Sequence, residues 1–176
     1  KFLIFGGGDI SKNFILKLKH FSKNISLISS RPSILKNIKN YQFKNFKPKK
    51  IDFDFVISVL PNKKKYDDYF DSNFFKKMRK DSFFINVGRG SVVKEKDLIK
   101  SLSKKQIAGA ALDVFKDEPI KHTNQFFNYK NCLITPHISG LFNNYWEEEE
   151  KLFLLNLKKF FLEKRLKNLI NFSNGK

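Results

Sequence analysis

Short uncharged runs of Val, Ile, Leu and Phe recur along the chain, and most are followed by a stretch whose apolar residues return at helical spacing. This alternation constrains the fold more than any other feature. KFLIF (1–5), NISLIS (24–29), FDFVISVLP (53–61), SFFINV (82–87), IAGAALDVF (107–115) and CLIT (132–135) read as strands, and a weaker one falls between Tyr41 and Lys50. Runs apolar on both faces belong in a sheet covered on both sides. Helical spacing is clearest in ILKLKHF (15–21), DSNFFKKMRK (71–80, capped by Asp71 or Ser72) and KEKDLIKSLS (94–103), and Pro32 suits the first turn of another short helix. The pattern predicts an α/β fold with a doubly wound parallel sheet. From Asn144 to about Arg165 runs a long amphipathic helix, acidic at its start and rich in lysine at its end, as the helix dipole prefers. We therefore expect one domain over 1–140 and a C-terminal helix with its tail over 141–176.

Several function classes recede at this point. The formal charge of +18 raises nucleic acid as a partner, but the positive residues are scattered and form no recognition motif, so none is expected. No apolar stretch is long enough to span a membrane and no signal peptide is visible, which favours a cytoplasmic protein. Cys132 is the single cysteine, and no metal site is expected. Only four arginines occur, Arg31, Arg79, Arg89 and Arg165. In so lysine-rich a chain, they are expected where a guanidinium fork is needed.

The turn after the first strand reads GGGDIS. Between a strand and a helix, Gly6 permits the tight turn and Gly8 lets the backbone approach a pyrophosphate at the helix N-terminus. Ser11 stands where a third glycine is usual, and Asp9 places a carboxylate beside the expected phosphates. The second strand ends in SSRPS, where Ser29, Ser30 and Arg31 suit the 2′-phosphate of NADP better than the ribose of NAD, so NADP is favoured and NAD stays possible.

The remaining polar chemistry lies at strand ends. NVGRGSVV sets Arg89 between two glycines, ALDVFKDEP carries Asp113, Asp117 and Glu118, and LITPHISG carries His137. A carbonyl that gains hydride needs a proton donor with a pKa near neutrality. His137 is the candidate, Glu118 can stabilise its imidazolium, and Arg89 can grip a substrate carboxylate.

INVGRGSVVKEKDLIKSLSKKQIAGAALDVFKDEP followed by NCLITPHISG closely resembles the D-isomer specific 2-hydroxyacid dehydrogenases, NAD(P)-dependent enzymes of two domains. The resemblance implies a Rossmann-type cofactor domain in which Arg89 binds the substrate carboxylate, Glu118 pairs with the catalytic histidine and His137 is that histidine. It also implies cofactor contacts at Gly8, Asp9 and Ile10, at Leu60 and Pro61, at Val87, Gly88 and Asp113 beside the nicotinamide, and at Gly140, which closes the T-P-H-x-x-G run. SVLPN and SSRPS resemble the glyoxylate and hydroxypyruvate reductase branch. The implied substrate is then a small 2-oxoacid, with the phosphohydroxypyruvate of serine synthesis also open and a nucleotide-binding module without turnover as the other reading. The family's substrate domain precedes the cofactor domain, so a chain that opens directly on an apolar strand is expected to lack it. Family members are usually homodimers, and the long helix is a candidate for that contact.

Overall fold

The computed structural model describes residues 1–30, 35 and 38–169. Its chain divides into two units, residues 1–139 and 140–176. In the first, seven parallel strands form one sheet in the order β3-β2-β1-β4-β5-β6-β7. These are β1 (Phe2–Phe5), β2 (Ile25–Ser29), β3 (Lys39–Gln42), β4 (Phe55–Ser58), β5 (Phe83–Asn86), β6 (Gly109–Leu112) and β7 (Cys132–Ile134). The order reverses between β1 and β4, so the chain winds outward in both directions from the centre. This is the doubly wound, Rossmann-type topology that the alternation predicts.

Side chains along each strand alternate between two apolar clusters. Leu3, Phe5, Ile28, Val56 and Phe84 belong to one, with α2 (Ser72–Phe75) and α3 (Glu95–Ser103) supplying Phe74, Phe75, Leu98 and Leu102. Ile4, Leu27 and Ile57 belong to the other, where α1 (Asp9–Leu18) supplies Ile15 and Leu18. Phe5 is fully buried and meets Phe70 and Phe74 edge to face, with centroids 5.1 and 5.5 Å away. Because Phe5 is the residue before the glycine turn, this packing fixes where the turn begins. Its truncation to alanine costs about 3–5 kcal/mol by analogy with other buried aromatics.

The third strand begins earlier than expected, at Lys39, and a 3-10 turn over Phe43–Asn45 follows it. The physical reason is its place at the sheet edge: an edge strand tolerates Lys39, Asn40 and Gln42, while Phe43 and Phe46 turn inward to pack on the core. Asp71 is the cap of α2, accepting from the N–H of Phe74 at 2.9 Å. The short helix expected after Pro32 lies outside the described residues.

The second unit carries α4 (Tyr145–Phe161), four residues shorter at its C-terminal end than the periodicity implies. Glu163, with φ of 51°, stands just past its end. The side chain of Asn156 then brackets Lys167, accepting from its N–H at 2.8 Å and donating to its carbonyl at 3.2 Å. No residue of α4 is buried.

Candidate active site

The strand register brings the functional loops to one end of the sheet. Phe5, Ser58, Asn86, Leu112 and Ile134 lie in one row across β1, β4, β5, β6 and β7, so the segments that follow them emerge side by side. The ladder continues one step past the strands through Val59 N–H to Phe5, Val87 N–H to Ser58, Asp113 N–H to Asn86 and Thr135 N–H to Leu112, each within 3.0 Å.

His137 and Glu118 come together from two of these loops. Nδ1 of His137 lies 2.7 Å from Oε2 of Glu118, while Oε1 of Glu118 accepts from the N–H of Phe115 at 2.8 Å. Burial works to raise the Glu118 carboxyl, but the Phe115 N–H, the His137 hydrogen bond and the charges of His137 and Arg89 outweigh it and hold it below its ordinary value. An ionised Glu118 accepts, so the proton of neutral imidazole sits on Nδ1 and leaves Nε2 for chemistry. His137 itself takes a left-handed backbone with φ of 56°. For a residue with a Cβ this conformation is sparsely populated and persists where the surroundings impose it.

Arg89 is exposed, and its Nη1 donates to the carbonyl of Gly88 at 2.7 Å. Its turn is held from below by Asn86, a fully buried residue that sequence reading did not single out. Asn86 Nδ2 donates to the Arg89 carbonyl at 3.0 Å and Oδ1 accepts from the Gly88 N–H at 3.2 Å. A polar residue closing an otherwise apolar strand was the available signal. The flanking glycines are dictated by close approach: a Cβ on Gly88 would stand 2.6 Å from the backbone of Leu60, and one on Gly90 only 1.9 Å from the carbonyl carbon of Phe115.

Asp113 is 2% exposed and faces inward. Oδ1 accepts from the Thr135 hydroxyl and the Ile138 N–H, and Oδ2 accepts from the Ser139 N–H. Burial pushes this carboxyl upward, and the Ser139 and Thr135 hydroxyls with the N–H groups of Ser139 and Ile138 outweigh that and lower it.

The crevice between β1 and β4 is where an open α/β sheet receives a dinucleotide. Gly6 has φ of +115°, and a Cβ there would stand 2.9 Å from the Val59 carbonyl. Around Gly8 a Cβ would meet nothing within 4 Å, and Gly7, Gly8, Asp9 and Ile10 are all exposed. The N–H groups at the head of the ten-residue α1 thus open onto free space, which fits a pyrophosphate. Ser11 is buried, and its hydroxyl donates to the Gly6 carbonyl, closing the turn from within. Leu60 is buried and Pro61 exposed across the crevice, with Val87 half-buried beside Gly88. Ser30 is exposed, its hydroxyl 2.9 Å from that of Tyr66, whereas Ser29 is buried with its hydroxyl on Asn40 at 3.2 Å. Ser29 is therefore a packing residue, because it lies within β2 rather than beyond it. Arg31 lies outside the described residues, and Gly140 opens the second unit.

Among the described residues, no group of three or more His, Cys, Asp or Glu side chains is placed to hold a metal, and no helix is long and apolar enough to cross a membrane.

Residues 1–139 match the profile of the D-isomer specific 2-hydroxyacid dehydrogenase, NAD binding domain. The chain is 28% identical over 139 residues to a glyoxylate/hydroxypyruvate reductase A of Serratia proteamaculans, an alignment covering 78% of this chain and 44% of that protein. It is 32% identical over 138 residues to a glyoxylate reductase of Pyrococcus horikoshii, covering 78% of this chain and 41% of that one. The matched region is thus less than half the length of either relative. Among solved structures, a D-isomer specific 2-hydroxyacid dehydrogenase family protein of Aeromonas salmonicida superposes with a TM-score of 0.87 at 27% identity, over 97% of this chain and 55% of that one. An NADPH-dependent glyoxylate/hydroxypyruvate reductase of Sinorhizobium meliloti, solved with NADP and sulfate, gives 0.87 at 21% identity, over 99% and 57%.

Proposed function

The chain belongs to the D-isomer specific 2-hydroxyacid dehydrogenases through their NAD binding domain, and from that premise we propose that it serves hydride exchange between NADP(H) and a small 2-oxoacid, glyoxylate or hydroxypyruvate foremost. The observation that carries this reading is the 2.7 Å contact of His137 Nδ1 with Glu118 Oε2, made within reach of the Arg89 charge.

Each residue then has a chemical task. Reduction of the carbonyl leaves negative charge on oxygen, and the doubly protonated imidazole of His137 delivers a proton to it from Nε2. Glu118 stabilises that imidazolium and orients the ring; the reverse reaction takes the proton back by the same route. Arg89 offers a planar fork to the substrate carboxylate, which sets the carbonyl in register with the histidine.

A bound nicotinamide dinucleotide supplies the hydride. The open backbone at Gly8, Asp9 and Ile10 would hold its pyrophosphate, with Gly6 shaping the turn and Leu60 and Pro61 forming the opposite side of the crevice. Val87 and Gly88 would border the nicotinamide and Gly140 the far end of the histidine loop. Ser30, exposed at the end of β2, and Arg31 suit a 2′-phosphate, and the Sinorhizobium meliloti structure solved with NADP supports that preference over NAD. Asp9 turns its carboxylate to solvent, which limits its repulsion of the phosphates.

We include in this reading a cytoplasmic setting and a homodimer, with the exposed apolar side chains Phe153, Leu157 and Phe160 of α4 as the contact; sedimentation tests the dimer. The central test is spectroscopic. NADPH should bind more tightly than NADH, and its oxidation should follow addition of glyoxylate or hydroxypyruvate. His137→Ala should lower turnover about 10²–10⁴-fold with nucleotide affinity kept, the range for loss of a general acid. Failure to bind either nucleotide, or unchanged turnover in His137→Ala, overturns the mechanism.

A further inference from the structure

Tyr66 is buried, and its ring packs in the larger apolar cluster beside Phe43, with centroids 5.1 Å apart. A buried tyrosine needs a partner for its hydroxyl. Here the partner lies on another loop: Oη of Tyr66 is 2.9 Å from Oγ of Ser30, the residue that follows β2. Tyr66 itself ends the 3-10 turn Lys64–Tyr66 that comes after β4. Because β2 and β4 flank β1 in the sheet, this contact joins the two sides of the crevice. The same ring also holds a charge. Lys65 Nζ stands 4.9 Å from its centroid, where the negative face of an aromatic ring attracts a cation. Both Lys65 and Ser30 are exposed, so an ammonium and a hydroxyl are open to solvent on either side of one buried tyrosine.

We propose that Lys65 and Tyr66 determine specificity for the 2′-phosphate of NADP. Tyr66 donates to Ser30, which leaves the Ser30 hydroxyl hydrogen for a phosphate oxygen, and the Tyr66 ring holds the Lys65 ammonium near that hydroxyl. The proposal rests on the reading of the crevice as a dinucleotide site, and it adds to Ser30 and Arg31 a cation from the far side of β1. The chemistry of the group selects its ligand. An ammonium and a hydroxyl donor favour a doubly charged phosphate over the neutral 2′-hydroxyl of NAD. The pyrophosphate is served elsewhere, by the open backbone at the head of α1.

The test is calorimetric titration of the whole chain with adenosine 2′,5′-bisphosphate and with 5′-AMP, which differ only in the 2′-phosphate, and then with NADPH and NADH. Lys65→Gln should weaken the bisphosphate and NADPH about three- to tenfold, as expected for an exposed ion pair with a doubly charged group, and leave AMP and NADH unchanged. Added salt should narrow the gap between bisphosphate and AMP more in the wild type than in Lys65→Gln. Tyr66→Phe keeps the ring and its packing, so it should weaken the same two ligands about two- to fivefold through the lost hydrogen bond. Lys65 is exposed, so its variant carries the test should Tyr66→Phe fail to fold. Unchanged bisphosphate affinity in Lys65→Gln overturns the proposal, and in Tyr66→Phe alone it strikes out the tyrosine's part. Equal losses for the bisphosphate and AMP also overturn it, because they would make the two residues a wall for the adenosine. A wild-type chain that binds none of these ligands overturns the dinucleotide site and the proposal together. Turnover that survives in His137→Ala overturns the proton-transfer mechanism alone, since these affinities are measured without any oxoacid.

Discussion

A Cβ on Gly8 would meet nothing within 4 Å, whereas one on Gly90 would stand 1.9 Å from the carbonyl carbon of Phe115. Both glycines follow apolar strands at the same end of the sheet, and on paper they look alike. Gly8 leaves empty space that a ligand can enter. Gly90 lets two loops of the protein touch, bringing the turn of Arg89 against the segment that leads to Glu118. The turn after β1 leaves its backbone exposed, with nothing of the protein within 4 Å of a Cβ on Gly8. The loops after β5, β6 and β7 are built to hold side chains still, and they stand on the buried polar residues Asn86 and Asp113.

That contrast can be broken by substitution. The largest effect is expected for Gly90→Ala, where the Cβ would run into the Phe115–Lys116 peptide: a loss of about 4 kcal/mol or more, read as a lowered denaturation midpoint, with nucleotide binding falling only as the fold does. Gly8→Ala should do the reverse. Gly8 has φ of −85°, which alanine adopts freely, so stability should fall by no more than about 1 kcal/mol through the weaker N-cap, while NADPH affinity drops about tenfold or more as the methyl occupies the phosphate's approach. A stable Gly90→Ala chain, or a Gly8→Ala chain with full affinity, would erase the distinction.

The smallest effect concerns pH. The Glu118 carboxyl is held below its ordinary value of 4.5, so the folded state favours its ionised form. Its contribution to stability is complete above that ordinary value and is lost as pH falls through the lowered folded one. The stability difference between wild type and Glu118→Gln, measured by denaturant at pH 6 and at about pH 3, should therefore shrink at the lower pH. A difference that grows on acidification would show that the sign is wrong.

Much of this was legible in the residues themselves. Two-sided apolar strands such as FLIF and FVIS leave a parallel sheet as the economical way to bury them, and Asp71 announces its cap by type and place. Histidine, glutamate and arginine at three strand ends suggest proton transfer beside an anion. Less legible were features that depend on how the folded backbone turns each side chain. Asn86 looked like the end of a strand, Ser29 like a hydroxyl free for a phosphate, and Ser11 like a missing glycine. Each is bonded to a partner that its turn or strand aims it at: the turn of Arg89, Asn40 and the Gly6 carbonyl.

The sequence by itself determined the class of sheet, the turn beside the first strand and which residues are the candidates for proton transfer, because burial and side-chain chemistry are properties of residue type and spacing. Tertiary structure alone decided which partners the polar groups take. Asp113 and Glu118 are both carboxylates at the end of one strand, five residues apart. One is turned inward onto Thr135, Ile138 and Ser139, the other outward onto the imidazole of His137. Hydrogen-bond partners are assigned by position in space, and for this pair the assignment comes from the loop after β7, which the spacing within the DVFKDEP run does not encode.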